Sequence, residues 1–215
     1  MNATVVWQKL LSEEMTGDRL KEALAQVEQL PSSIGTQGMQ AEILAKLSRW
    51  DAEREPQARS AIDAVSTALD DASLPHRCEA ALHAFGAALS LGDISLSEHF
   101  FERATELASD DGRMQVRMYC HNNLGCHYRG KGEYEKALHQ LKKALEYTEV
   151  DEDAVAIHWN MAATHAKLGN VDEAKAHLER VIDAWGLSGA RLETHWFDGL
   201  PAAVLREMRE RYGAQ

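Results

Sequence analysis

Ten histidines and three cysteines carry most of the chemical reach of this 215-residue chain. A zinc site would need three or four such side chains converging in tetrahedral geometry. His121 and His127 each follow a cysteine, Cys120 and Cys126. His158 and His165 stand seven residues apart, which puts them on one face of a helix. The signatures that usually accompany such sites are missing: there is no HExxH, no Cys-x2-Cys, no glycine-rich phosphate loop and no G-x-S-x-G elbow. A cysteine nucleophile needs a base at hydrogen-bond distance and a lowered pKa. Cys120 and Cys126 have only sequence-adjacent histidines, and adjacent helical residues point to different faces. The expectation is therefore no catalytic residue, no metal ligand set and no cofactor.

The totals narrow the class further. Ala, Leu, Glu, Lys and Arg dominate, with only 4 Pro, and such side chains lose little rotamer freedom in a helix. A net charge of -11 repels phosphate backbones and anionic membrane surfaces, so no nucleic acid and no membrane partner is expected. The third cysteine is Cys78; an odd count without paired spacing does not build a disulfide framework, which suits a reducing cytoplasm. The first residues lack the basic start and apolar core of a signal peptide.

Two blocks of sequence repeat. The first runs His121, Leu124, Gly125, Tyr128, then Gly132, Ala137, Leu141 and Ala144; the second runs His158, Met161, Ala162, His165, then Gly169, Ala174, Leu178 and Val181, each 37 residues later. Gly125, Ala137, Ala162 and Ala174 are small enough to let two helices approach closely. Leu124, Leu141, Met161 and Leu178 fill the seam, and His121, His158 and His165 fall at seam positions too. Gly132 and Gly169 sit where the chain must turn.

These blocks resemble the tetratricopeptide repeat family. His121 to Tyr128 fits its W-x2-L-G-x2-Y signature with His in the Trp place, and Ala137-x3-Leu141 fits its A-x3-F element. The family's repeat-end Pro is absent. A weaker copy runs through Phe85-Gly86, Gly92, Ser97, Phe101 and Ala104. Further back, helix-like stretches at Met39 to Trp50 and Gln57 to Leu69 flank Pro56, and Thr16-Gly17-Asp18 reads as the turn of an earlier pair. Gly17, Pro56, Gly92, Gly132 and Gly169 are spaced by 39, 36, 40 and 37 residues. The expected organisation is one array over residues 1–215: divergent helix pairs in 1–74, a repeat in 75–112, clear repeats in 113–185 and a capping segment in 187–212. Within that last segment residues 187 to 197 read as one more helix, and Pro201 to Tyr212 as a charged amphipathic helix.

The resemblance implies an all-α, right-handed superhelical solenoid of about five helix-turn-helix pairs with a C-terminal capping helix. It implies an interaction scaffold or adaptor, not an enzyme, that binds a protein segment or peptide in its concave groove. The first helix of each pair would line that groove, presenting Asn122, Asn123, Cys126 and Arg129, then Trp159, Asn160 and Lys167, with His83 from the weaker block. Asparagines suit a peptide backbone, Trp159 an apolar anchor, and Arg129 and Lys167 a carboxylate. Two alternatives stay open: a peptide-responsive regulatory sensor, and a metal-dependent enzyme built on the histidines. The terminal helix offers a further role in homo-oligomerisation.

Overall fold

In a computed structural model, residues 16–71, 73, 76–109, 112–148, 151–190 and 200–212 are described, and every regular element among them is helical. There are ten such helices: α1 Gly17–Glu28, α2 Ile34–Leu47, α3 Arg54–Ala68, α4 Arg77–Leu91, α5 Ile94–Leu107, α6 Arg113–Gly130, α7 Tyr134–Glu146, α8 Asp151–Leu168, α9 Val171–Ala190 and α10 Ala202–Tyr212. The all-α helical repeat expected from the sequence is present. Two compact units divide the chain, Met1–Val116 and Arg117–Gln215, with the boundary inside α6.

The turn glycines set the repeat. Gly92, Gly132 and Gly169 take left-handed φ values of 76°, 76° and 75°. In each case the next residue donates its N–H five residues back: Asp93 to Ala88 O (3.0 Å), Glu133 to Tyr128 O (2.9 Å) and Asn170 to His165 O (3.0 Å). That bond satisfies a helix-terminal carbonyl that would otherwise lack a partner. The next helix starts two residues after each glycine, at Ile94, Tyr134 and Val171. Nothing lies within 4 Å of a Cβ built on Gly132, so Gly132→Ala should pay only the left-handed backbone penalty, about 1–2 kcal/mol. A thermal melt should show a midpoint lower by roughly 2–8 °C.

Some boundaries differ from the sequence reading. Pro56 is not in a turn; it is the third residue of α3, and the chain turns over residues 48–53. Proline is harmless there because the N–H groups of a first turn have no partner inside the helix. The helix expected from Met39 begins at Ile34, because Ser33 and Thr36 form a reciprocal cap (Thr36 N–H to Ser33 Oγ 3.1 Å, Ser33 N–H to Thr36 Oγ1 2.8 Å). Gly17 opens α1 behind the Thr16 cap; the helix expected before it lies outside the described residues. Gly186 interrupts α9 at φ 72°, yet helix continues to Ala190, and the rest of the segment expected to 197 also lies outside them.

In the first unit α1 packs on α2, α2 on both α3 and α4, and α4 on α5. Leu20, Leu24 and Val27 of α1 close over Met39, Ile43 and Leu47 of α2. The α2–α4 contact is close: a Cβ on Gly38 would lie 3.0 Å from the Ala80 Cα. In the second unit, Met118, Leu141, Ala144, Ile157 and Met161 form one core, and Val155, Ala162, Ala174, Leu178 and Val181 belong to another. Leu200 and Met208 join that second core, laying α10 against α9. Burial of two such side chains contributes about 1.5–3 kcal/mol each. The solvent-facing pairs Lys175–Glu207 and Arg211–Glu179 add little beside that, so apolar packing holds α10 in place.

Candidate functional site

The residues nominated from α6 and α8 include a hydrogen-bonded group that ties the two helices together. Asn160 is buried. Its Oδ1 accepts from Arg129 Nη1 (3.0 Å) and its Nδ2 donates to Asn122 Oδ1 (2.9 Å). Arg129 can only donate, so it fixes which way the Asn160 amide faces. The Asn160 carbonyl also accepts from Arg129 Nη1 (3.2 Å) and from Thr164 Oγ1 (2.7 Å). The Arg129 guanidinium lies 5.6 Å from the centroid of the Trp159 ring, a cation–π contact. Arg129 is only 8% exposed, and burial pulls its pKa downward.

Asn123 sits beside this brace and is half-buried, its Nδ2 bonded to Tyr119 O (2.8 Å) one turn back. Cys126, Trp159 and Lys167 are half-buried as well. Burial pushes the Cys126 thiol up, against a smaller opposing pull from Arg129. Burial and then Glu79 raise the Cys78 thiol. Both are therefore protonated at neutral pH and are poor nucleophiles.

His83 belongs to the first unit and has a different environment. Its Nδ1 lies 2.8 Å from Glu42 Oε2, and Lys46 Nζ lies 2.6 Å from Glu42 Oε1. Glu42 is 3% exposed. Burial alone would raise its carboxyl, but the Lys46 charge and the His83 bond outweigh it and hold the group below the usual carboxylate range. Gly86 leaves room for this, since a Cβ there would lie 2.8 Å from Glu42 Cδ.

Four other histidines, His121, His158, His165 and His177, lie where helices pack. His121 Nδ1 lies 2.7 Å from Gln140 Oε1, and its ring stacks on Tyr147 at 5.6 Å. His158 and His165 of α8 meet His177 of α9. Among the described residues no three His, Cys, Asp or Glu side chains converge as a metal site would require. Sequence reasoning passed over Glu42, Gln140 and His177. Only Glu42 left a signal, a Glu/Lys pair four residues apart inside the apolar run Ala41 to Leu47.

The fold and this bracing define a helix-pair repeat protein. The family model of the tetratricopeptide repeat matches residues 128–184, and that stretch, from the end of α6 into α9, is tetratricopeptide repeat. No curated protein matches the chain. Repeats of this family generally mediate protein–protein interaction and are typically not enzymes. Among the described residues no helix is long and apolar enough to cross a membrane.

Proposed function

We propose that this chain is an adaptor or scaffold that binds a protein segment and carries out no chemistry of its own. The observation that carries this is the face shared by α6 and α8. There, Trp159 lies against the Arg129–Asn160–Asn122 brace, and Asn123, Cys126 and Lys167 are half-buried on the same two helices. A braced face loses little conformational freedom on binding. Asn123 Oδ1 is placed to accept from a peptide N–H, Trp159 offers an apolar anchor and Lys167 offers a cation. The Asn160 amide acts differently from the sequence expectation: with both ends engaged, it positions the face and leaves contact to its neighbours. His83, engaged by Glu42, plays a similar internal part in the first unit.

The protonated thiols of Cys78 and Cys126 support the absence of nucleophilic chemistry. Three cysteines outside any disulfide suit a reducing cytoplasm, and the acidic chain favours a protein partner over nucleic acid. In this reading α10 is the cap that covers the last apolar seam.

Selecting a displayed peptide library against the full chain tests the proposal. Asn123→Ala combined with Lys167→Glu should weaken the selected peptides roughly 10- to 30-fold while helical circular dichroism is unchanged. Failure to select any peptide, or equal binding by the variant, would overturn this face as the site.

A further inference from the structure

His158 and His165 lie two turns apart on α8, and His177 of α9 meets both. His177 Nδ1 is 3.0 Å from His158 Nδ1, with ring centroids 5.0 Å apart and tilted by 31°. The His165 ring stacks on His177 at 5.6 Å and 14°. Two outer contacts assign the protons. Arg180 Nη1 lies 3.5 Å from His158 Nε2; a guanidinium only donates, so Nε2 accepts. The proton of neutral His158 is then on Nδ1, and it points at His177 Nδ1, which accepts. Asn170 Nδ2 lies 3.4 Å from His165 Nδ1, so that nitrogen accepts as well. In all three neutral rings the basic nitrogen thus already faces an N–H.

We propose that the His158–His177–His165 stack is an acid-sensitive latch between α8 and α9, closed while its rings are neutral and opened by protonation. A proton added to His177 Nδ1 sets two N–H groups head to head at the 3.0 Å contact. A proton added to His158 Nε2 faces Arg180, and one added to His165 Nδ1 faces the Asn170 amide. The first two part side chains that join the two helices, whereas the Asn170 amide can turn its Oδ1 to meet the third.

The charged groups around the stack reinforce this. Lys142 of α7, Arg180 of α9 and the other imidazoles all oppose a positive charge, while Glu173 of α9 favours one on His165. Burial, the largest influence, depresses all three rings, and His177 is lowered to about 4. A depressed histidine binds protons more readily when unfolded. Its stabilisation is complete above the ordinary histidine value of about 6.5, is lost as pH falls from there toward about 4, and changes no further below that.

Proton NMR titration of the ring resonances in the full chain tests the latch. His177 should titrate well below pH 6 and exchange broadening of α8 and α9 amides should accompany it. Between pH 7 and 5 the thermal midpoint of the native chain should fall by roughly 2–4 °C more than that of His177→Gln. Arg180→Gln, which removes the positive charge beside His158 Nε2, should move His158 upward. Rings titrating near 6.5, or the same midpoint loss in His177→Gln, would overturn the proposal. Should His177→Gln fail to fold, the native ring titrations decide alone.

Discussion

Glu42→Ala should destabilise the first unit by about 3 kcal/mol, toward the low end of the ~3–5 kcal/mol typical when one partner of a buried ion pair is removed. Glu42 is 3% exposed and takes both Lys46 and His83. Without the carboxylate, the Lys46 ammonium, 22% exposed, can reach toward water. That escape sets the low end. The vacated volume adds a cavity term, because Gly86 leaves a space shaped to the Glu42 carboxyl. Glu42→Gln, which keeps the shape and removes the charge, should cost less. Hydrogen exchange resolved by segment should show protection lost over residues 34–107 and retained over 117–185. Acid should imitate the substitution. Since the carboxyl is held below its ordinary value, its contribution is present above about pH 4.5 and is lost as pH falls through the lowered value. Equal protection in Glu42→Ala and the native chain would mean that the buried network contributes nothing.

The second large effect belongs to Gly125→Val. A Cβ at this position would lie 2.7 Å from Leu141 Cγ, 2.8 Å from its Cδ2 and 3.2 Å from the Ala137 carbonyl. Leu141 cannot swing aside, being fully buried among Met118, Ala144, Ile157 and Met161. The helices must shift instead, at roughly 2–3 kcal/mol. Chemical denaturation should show it as a lower midpoint. Leu141→Ala placed in the same chain should recover part of the loss, giving a favourable coupling of about 1 kcal/mol in a double-mutant cycle. Gly130→Ala is the contrast. Nothing lies within 4 Å of its Cβ and the residue ends α6, so the change should be neutral or slightly stabilising. Equal effects at Gly125 and Gly130 would contradict the close approach of α6 and α7.

The same two residues show how far the sequence could be followed. Gly125 and Ala137 were marked as points of close helix approach by type and repeat position alone, and both lie at that contact. Phe85-Gly86 was matched to the same element, yet Gly86 accommodates a carboxylate from α2. The motif located the glycine, and a neighbour 44 positions away in sequence decided what it touches. Pro56 misled because proline marks both a break and a helix first turn; the capping box at Ser33 would have placed the preceding helix correctly.

By itself the sequence determined the local geometry of this protein: all-α pairs, the left-handed turns at Gly92, Gly132 and Gly169, and helices restarting two residues later. These depend on which residue tolerates positive φ and on apolar spacing within one helix, both written in consecutive positions. Tertiary structure decided the use of the polar side chains. Asn160 meets Arg129 from 31 residues earlier, His83 meets Glu42 from 41 earlier, and His177 meets His158 from 19 earlier. Each partner was visible as a residue but unmarked as a partner, because a hydrogen bond depends on the rotation and offset of two packed helices. Helical periodicity places a residue on a face and leaves its opposite number to the packing.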